Sequence, residues 1–155
     1  MVQVINDEFW ASKNRSAPAD EIDIRKIEAF CKVTLPVSYV DVMKLHDGGY
    51  INNDTFYYYN NNNNKCIGNI GVMYKILNGY ESLLGDLIDP PEFFPKGLIP
   101  FADDGGGNLT CFDYRNCTEN PPIVFWVCGD PEGEDTHFVA KNFEEFVNML
   151  YKPAY

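Results

Sequence analysis

The sequence predicts an α+β fold: two N-terminal helices, a mostly antiparallel (mixed) central sheet of about six strands, a short middle helix and a C-terminal closing helix. Three observations predict it. Helix-period apolar stripes are confined to the two ends, period-2 and continuous apolar runs fill the middle, and turns rich in Gly or Pro separate them. With 155 residues, one domain over 1–155 is expected. The 45% hydrophobic and 15% aromatic content supplies a core and excludes a disordered chain.

The first helix starts after Asp20, an N-cap residue type, and carries Ile24, Ile27 and Cys31 at helical spacing, with Phe30 widening the stripe. Glu21/Arg25 and Glu28/Lys32 place acid before base at i,i+4 on the wet face. Leu35-Pro36 interrupts, since proline lacks an N–H and restricts its predecessor. A second helix follows, with Tyr39, Val42, Met43 and His46 at i, i+3, i+4, i+7 and Gly48-Gly49 as its stop.

Ile70, Val72, Tyr74 and Ile76 alternate with Gly71, Met73 and Lys75, the pattern of a half-buried strand; Thr110, Phe112 and Tyr114 do the same. Ile123 to Val127 is a continuous apolar run, expected to be covered on both faces. Shorter strands are expected at Phe56–Tyr59, Leu98–Ala102 and His137–Ala140, a short helix over Glu81–Leu87, and a loop tip at the polar run Asn60–Asn64. Asn142 with Glu145 three residues on resembles a capping box, and Phe143, Phe146, Val147 and Leu150 complete the closing helix before Pro153.

Charge narrows the function. Twelve bases against 23 acids give −11 and a pI near 4.4, a field that repels phosphate backbones and anionic lipid, so direct nucleic-acid and membrane-surface binding are disfavoured and a basic protein partner is favoured. No segment has the roughly 20 apolar residues of a membrane helix, and Met1 to Trp10 has neither a basic nor a long apolar leader region, so a cytoplasmic protein is expected. Five cysteines, an odd number, then read as reduced, mostly buried thiols.

Enzyme and metal chemistry find little support. The histidines, His46 and His137, fall in separate regions, and no local signature surrounds Cys111 or Cys128, so a thiol hydrolase is a remote alternative. Cys111-x5-Cys117 is not zinc spacing. The acidic loops Asp103-Asp104 and Asp130 to Asp135 offer oxygen ligands but not EF-hand spacing, and solvated turns explain them better than calcium. Gly105-Gly106-Gly107 lacks the Lys and Ser/Thr of a nucleotide loop and follows two aspartates, so hairpin geometry is the better account. No cofactor, metal or catalytic residue is expected.

More telling is where the acids lie. From Asp103 to Asp135 there are eight acids and one base, Arg115, contributing −7 of the −11. Asp103, Asp104, Asp130, Glu132, Glu134 and Asp135 lie in loops between strands expected to be neighbours, and so form either one negative docking rim or ordinary solubilising surface. Tyr50 and Tyr57-Tyr58-Tyr59 are candidate anchors beside it, or strand filling. The residues do not fix an oligomeric state, a monomer or a weak dimer.

Three stretches in order resemble the SUKH superfamily, which holds fungal cell-wall-synthesis regulators and many bacterial immunity proteins. They are Ile27-Glu28 through Leu35-Pro36-Val37-Ser38-Tyr39 to His46-Asp47-Gly48-Gly49, with Asp47 where the family usually has Asn; Leu98-Ile99-Pro100-Phe101-Ala102 through Asn108; and Ile123 to Val127 followed by Val139 to Phe146. The likeness covers about 22–150. It implies a compact α+β domain without a recognised catalytic centre. It further implies a bacterial immunity protein that neutralises a cognate polymorphic toxin, often a nuclease, or alternatively a regulatory scaffold for a cellular protein. The motif residues Leu35, Pro36, Tyr39, Gly48, Gly49, Gly106, Gly107 and Trp126 fit turns and core, and none is carried over as an active site.

Overall fold

The structure is a computed structural model that describes residues 8–11 and 17–154. Most of the N-terminal stretch read above as lacking a leader, residues 1–7, lies outside them. In chain order the elements are α1 (Glu21–Cys31), α2 (Val37–Met43), β1 (Thr55–Tyr59), β2 (Lys65–Asn69), β3 (Val72–Met73), α3 (Leu83–Ile88), β4 (Leu98–Asp103), β5 (Leu109–Asp113), β6 (Ile123–Trp126), β7 (Thr136–Ala140) and α4 (Phe143–Met149). The fold is α+β, with seven strands among the described residues in two antiparallel sheets, β1-β2 and β3-β4-β5-β6-β7. Parallel pairing among these residues is confined to one bridge, Lys75 with Ser82.

The helix ends follow their caps. Asp20 accepts from the Ile22 N–H at 2.9 Å and starts α1. Lys32 ends it in the left-handed conformation, so the expected Glu28–Lys32 pair gives way to a bond from the Leu35 N–H to the Glu28 carboxylate at 2.8 Å. Phe30, expected to widen the apolar stripe, is 59% exposed. The second helix stops at Met43, short of His46, whose Nδ1 lies 2.6 Å from the Gly48 carbonyl and whose ring packs on Trp10. Asn142 caps α4 by accepting from the Glu145 N–H at 2.8 Å, while the Glu145 carboxylate reaches back to the Lys141 N–H.

The core lies between the five-stranded sheet and the helices. Tyr39 of α2 meets the rings of Phe101, Phe112 and Phe143 at 4.9–5.9 Å, and Phe56 meets Phe125 and Phe146. The run Ile123–Trp126 is buried on both faces, as its continuous apolarity predicted. Strand β5 is buried over Leu109–Phe112 as well, despite its alternating sequence. Beside it, Phe94 of the α3–β4 connection packs edge-on against Trp126 of β6 at 5.1 Å.

The β1-β2 hairpin turns at Asn60–Asn64, the polar run read as a loop tip. Its inner face rests on a close contact: the buried Phe56 ring lies against Gly68 where a Cβ would stand. Gly68→Ala should therefore lower unfolding stability by roughly 1–3 kcal/mol, measured by denaturant titration, because the ring has no space to retreat.

A candidate partner-binding rim

Two hairpin loops emerge at the same end of the sheet, because Leu109 at the start of β5 pairs with Trp126 at the end of β6. The β4–β5 loop is folded by its own side chains. Asp104 Oδ1 accepts from the N–H groups of Gly106 at 2.8 Å and Asn108 at 3.1 Å, and Oδ2 accepts from Asn108 Nδ2 at 2.8 Å. Gly105 and Gly107 take positive φ (81° and 97°), which the turn requires; Gly106 does not. Asn108 then uses its side-chain amide oxygen, Oδ1, to accept the Cys128 N–H at 2.9 Å, stapling this loop to the next.

The β6–β7 loop closes through Val127 N–H to the Asp135 carbonyl at 2.7 Å and Glu134 N–H to Pro131 at 2.9 Å. Asp130, Glu132 and Glu134 are exposed along it. Asp135 is not part of that exposed set: it is only 4% exposed and faces inward, its Oδ2 accepting the Trp126 indole N–H at 2.9 Å and its Oδ1 the Thr136 hydroxyl at 3.2 Å. A buried indole N–H needs an acceptor, and the chain supplies this one.

The remaining predicted residues fall in different places. Asp104 lies on the loop that Asn108 joins to Cys128, two residues before Asp130, although its carboxylate is spent on its own loop. Asp103 is half-buried, its Oδ1 accepting the Gly105 N–H at 3.1 Å, and it faces Glu81 and Asp86. Tyr50 is 61% exposed but sits next to Gly49, which pairs with Met73 of β3 at the opposite lateral edge of the sheet. Of the acids, Asp103 is the one nearest that edge, since it pairs with Val72 of β3. Of the other segment acids, Asp113 and Glu119 lie at the far end of the strands, where the Arg115 guanidinium grips Asp113 at 2.9 Å.

Residues that charge counting missed complete the rim. The hairpin tip reaches it through Asn61 Nδ2, which donates to the Glu134 carbonyl at 3.4 Å, and a cleft of about 210 Å³ runs between Asn60–Asn62 and Asp130, Pro131, Glu134 and His137. The polar monotony of Asn60–Asn64 gave no sign of that contact. Asn108, by contrast, closes a Gly-rich hairpin directly after Asp104, and its residue type was a legible signal.

The half-buried carboxyls give the domain a pH response. Burial pushes Asp47, Asp86 and Asp103 above the ordinary 3.8; the Asp89 charge adds to this at Asp86, where the Tyr74 hydroxyl opposes it. At Asp113 burial also raises the value, but the Arg115 fork outweighs it and holds the group low. A carboxyl raised on folding leaves stability untouched below its unfolded value and imposes its full penalty above its folded one. Stability therefore falls as pH rises through that window, and grows on acidification. The melting temperature of the wild type relative to Asp86→Asn should therefore rise as pH falls through the raised Asp86 value toward 3.8, read by thermal melts across the acid range.

Among the described residues no group of three or more His, Cys, Asp or Glu is placed to hold a metal ion. Burial pushes the Cys111 thiol well up, the direction opposite to nucleophile activation. No helix among the described residues is long and apolar enough to cross a membrane.

The described residues thus form an α+β shell that displays an exposed acidic loop, Asp130 to Glu134, at one end of its five-stranded sheet. Comparison with known families makes this specific: residues 18–149 match the SMI1 / KNR4 family (SUKH-1), and the chain belongs to it. A similar protein is the SPbeta prophage-derived uncharacterized protein YokK of Bacillus subtilis (strain 168), 34% identical over 79 residues, which are 50% of this chain and 38% of the relative. The match thus spans less than two-fifths of that relative's length.

Proposed function

We propose that the chain is a non-enzymatic immunity protein that binds a cognate toxin, a basic nucleic-acid-acting domain, and neutralises it by stoichiometric occlusion in the cytoplasm. The observation that carries this reading is the exposed trio Asp130, Glu132 and Glu134 on a loop whose backbone is fixed by Asn108 and by the Trp126–Asp135 bond. A nuclease presents positive potential to bind phosphates, and an anionic loop complements it, gaining on-rate and specificity. Family membership and a prophage-derived relative support the same reading.

The test is a pull-down with the product of the adjacent gene, followed by co-expression. Capture of that product and survival of cells otherwise killed by it are expected. Capture of a housekeeping protein, with no protection, would instead support the regulatory-scaffold role found elsewhere in the superfamily and overturn the immunity role.

A further inference from the structure

The β1-β2 hairpin carries an open strand edge. Two bonds fix the phase of its ladder: Asn60 N–H to the Asn64 carbonyl at 3.0 Å, and Ile70 N–H to the Asp54 carbonyl at 2.7 Å. Both belong to the register that pairs Phe56 with Gly68 and Tyr58 with Cys66, so these are the hydrogen-bonded pairs. The alternate pairs, Thr55/Asn69, Tyr57/Ile67 and Tyr59/Lys65, must then turn their main-chain groups outward. On the β1 side this is visible directly, because Thr55 exchanges two bonds with Tyr151 at 3.1 and 3.0 Å. On the β2 side, nothing among the described residues bonds to the outward groups of Lys65, Ile67 and Asn69.

The side chains of those alternate pairs share one face, which is open toward the tip, while Tyr57 stacks on Tyr151 at 5.0 Å and Thr55 is buried. Ile67 is 67% exposed, Tyr59 57% and Tyr57 37%. Lys65 lies over the Tyr57 ring at 3.8 Å, which turns its charge onto the aromatic face. The Asn61–Glu134 contact brings the tip of the hairpin, where this edge ends, to the acidic loop of Asp130 and Glu134.

We infer that the outer edge of β2 is a strand-addition site for an extended basic segment of the partner, its apolar side chains on Tyr57, Tyr59 and Ile67 and its cations on Asp130 and Glu134. The inference rests on the partner being cationic, as proposed above. Main-chain bonds supply affinity in such docking and alternate side chains supply choice. A second copy of this chain is the wrong occupant, because it would bring another −11 charge to the same acidic end.

The probe is a short synthetic peptide of alternating lysine and valine, with a glutamate–valine peptide as control, titrated into the labelled protein. The lysine peptide should shift the amide signals of Lys65–Asn69 together with those of residues 130–134, and should slow hydrogen exchange at the Ile67 amide. Ile67→Pro removes the outward N–H without touching the ladder to β1, and should weaken peptide binding at least about tenfold. Ile67→Ser, which keeps the N–H, should weaken it less. Signals confined to residues 130–134, equal binding of the glutamate peptide, or unchanged affinity in both variants would overturn the inference. The two readings separate cleanly: a toxin neutralised with full affinity by the Ile67→Pro protein removes the edge site and leaves the immunity role. Peptide docking without toxin capture does the reverse.

Discussion

Gly48→Ala should lower unfolding stability by roughly 3 kcal/mol and the melting temperature by about 10 °C, the largest single-residue loss expected outside the aromatic core. Two independent penalties combine there. Gly48 holds φ at +77°, and a Cβ would stand 2.8 Å from the Lys75 nitrogen and the Met73 carbonyl oxygen, main-chain atoms of the neighbouring edge. Main chain cannot swing aside as a side chain tip does. Gly133→Ala is the control, because it shares the positive φ (+84°) but has nothing within 4 Å of the added carbon. It should lose only about 1 kcal/mol, the conformational part alone. Equal losses in the two variants, measured by chemical denaturation, would show that the contact with β3 is not what fixes Gly48.

Replacing Asp130, Glu132 and Glu134 together by lysine should slow association with the captured toxin by about ten- to a hundredfold at low salt, with little change in melting temperature. No described side chain bonds to these three carboxylates, so the fold does not depend on them. The wild-type rate should fall steeply with added salt, and the triple variant should have lost most of that dependence. Stopped-flow or surface-based kinetics at two ionic strengths reads both quantities. An unchanged rate would remove the acidic loop from the interface. Asp135 is left intact in this design because the Trp126 indole depends on it.

Much of this architecture was legible before any coordinates. Caps and stripes located α1, α2 and α4, since Asp20 and Asn142 cap through local bonds and Leu35-Pro36 breaks the chain through the proline ring, none of which needs tertiary context. Strand β2 was not legible, because Lys-Cys-Ile-Gly-Asn has neither alternation nor a high β-propensity; its place is set by Phe56 covering Gly68 across the hairpin. The strand expected over Ile70–Ile76 shrinks to Val72–Met73 for a related reason. Gly49 and Phe101 take the flanking main-chain bonds, and Lys75 turns to Glu81 and Ser82.

At the rim, composition identified the charged loops but could not assign depth. Asp130 and Asp135 are the same residue type five positions apart, and only the indole of Trp126 draws one of them inside. Tyr50 and the Tyr57–Tyr59 run looked equivalent as anchors in one dimension. The sheet order separates them, leaving Tyr50 by β3 and the tyrosine run beside the acidic loop.

The Asn108 staple has an evolutionary corollary. One amide, together with one buried carboxylate–indole bond, holds the backbone from which Asp130, Glu132 and Glu134 project. On the proposed reading, contact chemistry and scaffolding are written in different residues, so the displayed letters can change one at a time while the platform beneath stays as it is.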